Sequence, residues 1–393
     1  MERLKGMGLK RALFWITLWC LSGAAAACAA LTGCAPLDAL PYAYEIEDTV
    51  LLRTLGVDVA TQRLDGVAVT ASSGERPAVG DSPGQAGVVL SAQADTVSAA
   101  RTMMQSYGKD ELFFGDVEQV VVGEGLAQRG LDDLLALMAR DPELRLEARL
   151  WVVRGGSASD VLFGGEESGG VDDRLDAMES NADQGAATLP RTAREALVDL
   201  ARSGTTFLPA LAQGPSRPGD GAEGDTTVST AGYALFRDGA LCGWAAGEEA
   251  HGIHLLLGRA DGGLLECAAP DGARVALLLT GVRTGYTPVF RGGALAGLEV
   301  KCKVEARLAE VRGGDALSRE ELAWLEAETA RLCRTRMETA LSHSRALEAD
   351  YLNLRQRAAL SAPWRKDELE QDWEEGFPGL AFTVNVRVKV AGG

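Results

Sequence analysis

Residues 298–308 read Leu-Glu-Val-Lys-Cys-Lys-Val-Glu-Ala-Arg-Leu, a strict alternation that sets Leu298, Val300, Cys302, Val304, Ala306 and Leu308 against Glu299, Lys301, Lys303, Glu305 and Arg307. Side chains alternate across a strand, so this pattern predicts one long strand with a buried face and a wet face. The C-terminus repeats the device, with Phe382, Val384, Val386, Val388 and Val390 against Thr383, Asn385, Arg387 and Lys389. Between the two runs, Ser318 to Arg357 has helical spacing, with Leu322, Leu325, Leu332, Met337, Leu341, Tyr351 and Leu354 as its apolar stripe. Ser318 followed by Glu321 is a capping-box signature. A long helix laid over alternating strands predicts an α+β arrangement for this part of the chain.

Toward the N-terminus the signals change. Val117–Val122 and Arg149–Val153 read as buried strands, and Leu131–Ala139 reads as a helix. Val89 to Gln105 has Val89, Ala92, Val97, Ala100 and Met104 on one side, which predicts another helix. Helix, strand, helix, strand is the order of an α/β layer. Gly66–Ser72 is a short strand candidate, and Ile46–Val59 is an opening helix or strand. Tyr233–Phe236 and Val275–Thr280 are further short strand candidates, whereas His254–Leu257 fits strand or helix. Stretches rich in Gly, Ser and Pro at 73–87, 164–185 and 213–227 read as loops, the last as the best domain boundary. The fold class is therefore mixed α/β and α+β in two to three domains. These are an N-terminal α/β domain at 34–212, a linker at 213–227, and a C-terminal α+β region at 228–393 with room for subdomains at 228–281 and 282–393.

The 393 residues are 46% hydrophobic and 24% charged, enough apolar content for a sizeable core. The formal net charge is −17, and the first 33 residues carry +3 of their own, which leaves −20 for the rest. That mean charge argues against nucleic acid and anionic lipid headgroups as direct ligands. Arg3, Lys5, Lys10 and Arg11 precede an apolar run from Ala12 to Ala30, the pattern of an export signal. The run ends in Leu31-Thr32-Gly33-Cys34, which resembles a lipobox. Small residues before Cys34 favour cleavage after residue 33 and lipid attachment at Cys34 over a plain transmembrane anchor. Cys242, Cys267, Cys302 and Cys333 show no CxxC spacing and read as small buried apolar residues, with disulfide pairing left open.

No catalytic constellation emerges. Gly123-Glu124-Gly125 follows a strand and precedes a helix, but Gln128 stands where a dinucleotide fingerprint needs glycine. Glu248, Glu249, His251 and His254 have metal-ligand chemistry, and a helix would bring both imidazoles to one face, but Gly252 weakens the helix. Gly155-Gly156-Ser157-Ala158-Ser159 lacks the spacing of a nucleophile elbow, and His343 is the one further histidine available for a triad. Asp132/Asp133 and Glu374/Glu375 are solvated carboxylates. Trp364, Trp373 and Phe377 form either a helix-to-sheet packing cluster or an exposed aromatic anchor, with packing favoured. The reading is therefore no catalytic site, no cofactor and no metal.

Several blocks resemble the Ger(x)C family, the C subunits of spore germinant receptors. Glu45-Ile46-Glu47-Asp48 and Leu55-Gly56-Val57-Asp58 resemble its opening. Phe113-Phe114-Gly115-Asp116-Val117-Glu118-Gln119 leads to Gly123-Glu124, then Ala127, Gly130-Leu131 and Arg140-Asp141-Pro142-Glu143-Leu144-Arg145, and is similar to its central block. Gly232–Gly243 resembles a family hairpin, continued by Trp244, Glu248, Glu249 and Gly252; Asp350, Pro363-Trp364, Trp373 and the closing strand match its tail. Ala35-Pro36 depart from the family's usual aromatic-Asp pair, and Asp116 stands where His is frequent. The Gly-rich stretches at 164–187 and 213–227 look expanded relative to the family. The resemblance implies a lipoprotein on the outer face of the spore inner membrane, built of three mixed α/β domains and without catalytic residues. It implies work with an A subunit and a polytopic B subunit in nutrient-triggered germination. It also implies a structural ion-pair network or cap for Arg140, Asp141, Glu143 and Arg145. The competing readings are a solute-binding lipoprotein of a transporter, then an envelope hydrolase.

Overall fold

A computed structural model describes residues 49–62, 65–74, 87–108, 110–164, 170–182, 188–215, 226–268, 272–312 and 318–391. The leader, Cys34 and Glu45–Asp48 lie outside these residues, as do the centres of the three Gly-rich stretches. From Val50 onward the chain forms one compact unit.

The first half builds from β1 (Thr49–Leu51), β2 (Thr54–Val59), β3 (Val67–Ser72), β4 (Val89–Ala94), α1 (Val97–Gln105), β5 (Glu111–Phe113) and β6 (Gln119–Val122). There follow α2 (Glu124–Arg129), α3 (Asp132–Arg140), β7 (Arg149–Val153), α4 (Ala158–Gly164), α5 (Val171–Ser180), α6 (Ala193–Ser203), β8 (Thr205–Pro215), β9 (Thr226–Arg237) and β10 (Ala240–Ala245). Eight strands form one sheet in the order β10-β9-β8-β7-β6-β2-β3-β4, while β1 pairs with β5. The four central strands β8, β7, β6 and β2 are mutually parallel, and antiparallel strands flank them. Gln-Val-Val-Val in β6 is buried on both faces because helices cover both. Val120 and Val122 join a core with α1, α2, α3 and α6. Val121, Trp151 and Val153 face the other way, against α4 and α5.

The second half adds α7 (Glu248–Leu257), β11 (Leu264–Ala268), β12 (Arg274–Arg291), β13 (Ala294–Arg312), α8 (Arg319–Ala346), α9 (Leu354–Ser361), α10 (Lys366–Gly376) and β14 (Ala381–Ala391). Its sheet runs β11-β12-β13-β14, with β13 and β14 parallel and the helices forming the crossover between them. Ser318 and Glu321 cap α8 reciprocally, as the spacing predicts. Leu325, Cys333, Met337 and Leu341 of α8 pack on the sheet's apolar face, where Leu298, Val300, Cys302, Val304 and Ala306 are buried. The four cysteines among the described residues are free thiols, and Cys267, Cys302 and Cys333 are buried.

Three segments differ from the sequence expectation. Val89–Gln105 is a strand followed by a helix, because β4 pairs with β3 and Thr96 then caps α1, its Oγ1 accepting from the Ala99 amide at 3.2 Å. Val275–Thr280 is the start of an 18-residue strand that β13 holds in register as far as Arg291. Gln213–Pro215 and Thr226–Thr227, read from composition as linker, are the paired ends of β8 and β9. Asp238 and Gly239 turn the β9–β10 hairpin with φ of 51° and 76°, the left-handed pair that a tight two-residue hairpin needs.

The aromatic cluster divides. Trp373 is buried and stacks on Phe377 at 5.6 Å, whereas Trp364 is 79% exposed beside a Leu360 that is 75% exposed. Trp373→Ala is expected to cost about 3–5 kcal/mol in a urea unfolding titration, and Trp364→Ala less than about 0.5 kcal/mol.

Candidate functional site

At the carboxyl end of the parallel strands, Asp58 closes β2 and is buried. Its two oxygens accept from the backbone amides of Ala158 at 2.7 Å and Ser159 at 2.9 Å, which satisfies the first turn of α4. Gly56 lets α4 approach, since a Cβ there would meet the Ala158 Cβ at 3.1 Å. Gly123 makes room for the carboxylate itself, because a Cβ there would lie 1.8 Å from its Oδ1. Burial raises Asp58 above the ordinary carboxylate value, and the two amide bonds oppose the shift. Glu124 adds a second tie by accepting from the Gly155 amide. The Leu-Gly-Val-Asp and Gly-Glu motifs therefore join the segments that leave the carboxyl ends of β2, β6 and β7, and the Asp58 carboxylate occupies the space beside Gly123.

The central block is likewise a packing device. Arg101 stacks over the Phe114 ring at 4.1 Å and ion-pairs with Asp141 and Glu143, while Arg145 lies 3.6 Å from Asp116. Arg140 donates to the Ala136 carbonyl. Behind them the Trp151 indole donates to Gln119 at 2.7 Å, and Gln119 donates to Asp176, which also ion-pairs with Arg53. Next to this group Asp172 is buried, accepting from the Ser72 hydroxyl with one oxygen and leaving Oδ1 without a partner.

The histidines lie along the seam between α7 and α8. Gly252 sits against the Arg336 carbonyl, which a Cβ would meet at 2.1 Å, so glycine is required by the close approach of the two helices. Helical spacing does bring His251 and His254 together, with ring centroids 6.0 Å apart. The remaining partners differ from a metal shell: Glu248 pairs with Arg336, Glu249 with His343, and His254 with Tyr233. The Leu189 amide donates to the Tyr233 hydroxyl at 2.7 Å, and that hydroxyl shares a 2.6 Å hydrogen bond with His254 Nε2. Burial, with a smaller push from His251, takes His254 from 6.5 down to about 4. Hydrogen bonding to Arg336 holds Glu248 below its usual value, whereas burial raises Glu249. Asp350 caps α9, accepting from the Leu354 and Arg355 amides at 2.7 and 2.9 Å, and burial takes it from 3.8 up to about 7.

An open groove of about 750 Å³ lies at the same end of the N-terminal sheet, floored by Val57, Val67, Val97 and Leu126 and rimmed by Asp65 and Asp132. Asp95, Thr96 and Ser98 also line it, and the Thr96 hydroxyl is the cap of α1. Asp133 also lines it, exposed as expected. Ser157 and Ser159 hydrogen-bond one another, with no histidine between them. Arg101, Tyr233 and the helix-capping role of Asp58 had no sequence signal of their own. Each depends on a partner more than twenty residues away.

The fold matches a crystal structure described as that of the GerBC protein with a TM-score of 0.56 at 16% identity, covering 86% of this chain and 97% of that one. No curated protein sequence matches. Residues 43–213 match the spore germination protein N-terminal domain, and residues 231–392 match the spore germination B3/GerAC-like C-terminal domain. The chain belongs to this GerAC-like, or Ger(x)C, family of spore germination proteins.

Two outcomes follow from the buried carboxylates. Asp58→Ala and Gly123→Ala should each cost about 1–3 kcal/mol. The Gly123→Ala penalty should largely vanish in the Asp58→Ala background, which a double-mutant cycle of unfolding free energies reads directly. The second outcome concerns pH. Between pH 6.5 and 4 the unfolded chain protonates His254 before the folded chain does, so this residue's stabilisation is lost as pH falls. Between pH 7 and 3.8 the folded chain protonates Asp350 first, so its stabilisation is lost as pH rises. The two slopes oppose one another. Asp350→Asn should therefore lose stability on acidification more steeply than the unaltered chain, by up to about 1.4 kcal/mol per pH unit, in urea titrations across that window.

Proposed function

We propose that this chain is the lipid-anchored, non-catalytic C subunit of a spore germinant receptor, tethered through Cys34 on the outer face of the spore inner membrane. It acts in nutrient-triggered germination through contacts with membrane A and B subunits. The observation that carries the reading is the two germination domains matched in order, at 43–213 and 231–392. Several motif residues support it, since Asp58, Gly123, Asp141 and Glu143 serve capping and packing. Among the described residues no helix is long and apolar enough to cross a membrane, which agrees with attachment through the N-terminal segment. The body after Cys34 is read as an N-terminal α/β domain to residue 212 and a C-terminal region from 228, which meet at the β8–β9 hairpin. Neither cofactor, metal nor nucleic acid enters this function.

The test is affinity purification of the tagged chain from spore inner membranes, with Cys34→Ala alongside. A- and B-type receptor subunits should co-purify, and their recovery should fall in the variant. Arrival instead with a transporter permease, or with a bound small molecule, would transfer the assignment to a solute-binding lipoprotein.

A further inference from the structure

The wet face of the β11–β14 sheet opposes the charge of the whole chain. In register, Arg283 lies opposite Lys303, and Lys303 opposite Arg387, so three cations stand abreast on neighbouring strands. Lys301, Arg307 and Lys389 flank them on the same face, and all six residues are exposed. Two carboxylates lie among them. Glu299 is taken by Lys301 at 2.9 Å and Asn385 at 3.1 Å, and Glu305 reaches Arg283 at 3.7 Å. Lys303, Arg307, Arg387 and Lys389 have no acidic partner within 4.0 Å among the described residues.

Like charges placed directly across strands destabilise a sheet. A chain of net charge −17 has ample carboxylates to neutralise such a row, yet this face concentrates cations. Gly285 and Asn385 lie opposite Lys301, Gly281 opposite Glu305 and Leu278 opposite Arg307, and no aromatic residue stands among these rows. The core of a protein interface is usually aromatic and poor in charge, so this face is unlike one. A broad polyanionic surface that touches one side of the molecule fits better, because the acidic remainder then faces away from it. We infer that the outer face of this sheet, centred on Arg283, Lys303 and Arg387, docks on a lipid bilayer rich in anionic headgroups.

Each cation near such a surface contributes about a factor of five to partitioning at low salt. The chain from Ala35 onward keeps every described residue and the compact unit from Val50, and it is mixed with vesicles of phosphatidylcholine alone or partly of phosphatidylglycerol. Sedimentation should show at least tenfold stronger binding to the anionic vesicles, lost as salt rises from about 0.05 to 0.5 M. Lys303→Glu should lower that binding roughly tenfold or more. It also sets an anion between two arginines, so its Tm should rise, which separates loss of binding from loss of fold. Arg334→Glu, an equal change of charge on exposed α8, should leave binding nearly intact. Binding that ignores lipid charge, survives Lys303→Glu or falls equally with Arg334→Glu would overturn the inference, as would preference for duplex DNA over anionic vesicles. The inference stands apart from the receptor reading, since a chain that binds these vesicles but recovers no A or B subunit defeats only the latter.

Discussion

Strand β9 is shared between two cores, and the rest of the structure is arranged around that constraint. Its alternation sends Ala234 and Phe236 into the core under α1, α2, α3 and α6, and sends Tyr233 and Leu235 into the core built by α7, α8 and the second sheet. The neighbouring β8 does the same with Leu208 and Phe207. The two segments that match separate family domains are therefore not independent lobes, since the sheet of one supplies a wall to the core of the other. A ligand-closing hinge needs two bodies with little shared core, and this architecture has the reverse. The Tyr233–His254 hydrogen bond lies inside the second of these cores and ties β9 to α7.

Polar groups buried at the element ends do most of the remaining specification. Asp58 at α4 and Asp350 at α9 each give both oxygens to a helix start, in sites whose burial disfavours the ionised form. Such carboxylates contribute less net stability than their hydrogen bonds suggest, because desolvation offsets part of the gain. What they supply is register: a slip of β2 by one residue would leave the α4 amides uncapped and drive the carboxylate away from the space above Gly123.

How much of this was legible follows from how local each cause is. The alternation in β13 and β14, and the Ser318–Glu321 cap, are written in neighbouring residues, and the structure has both. Val89–Ala94 reads as helix because Val89 and Ala92 lie at a helical spacing of three, and only pairing with β3, brought from outside the window, decides for strand. The length of β12 has the same cause: Gly281, Gly285 and Pro288 are poor strand formers, and β13 pairs with each of them. At the candidate site the motif glycines were visible but their purpose was not. Gly252 owes its identity to the Arg336 carbonyl, 84 positions away, and no helix-propensity argument finds that.

Charge shows the same distinction between an average and a placement. A net −17 argues for repulsion from anionic surfaces, yet the same chain lays three cations in one row because β12, β13 and β14 happen to align them. Counter-ions screen charge over about 8–10 Å, so the residues within that distance of a surface decide attraction, and carboxylates on the far side are largely silent. About fifteen residues separate Cys34 from β1, a reach of at most roughly 50 Å when fully extended. On the proposed function a lipid on Cys34 would hold the chain within that reach, the effective concentration of bilayer would then be high, and a weak electrostatic face would be enough to choose one orientation from many. Under that proposal the lipid would keep the body at the membrane, and the sheet would decide which side of it looks down.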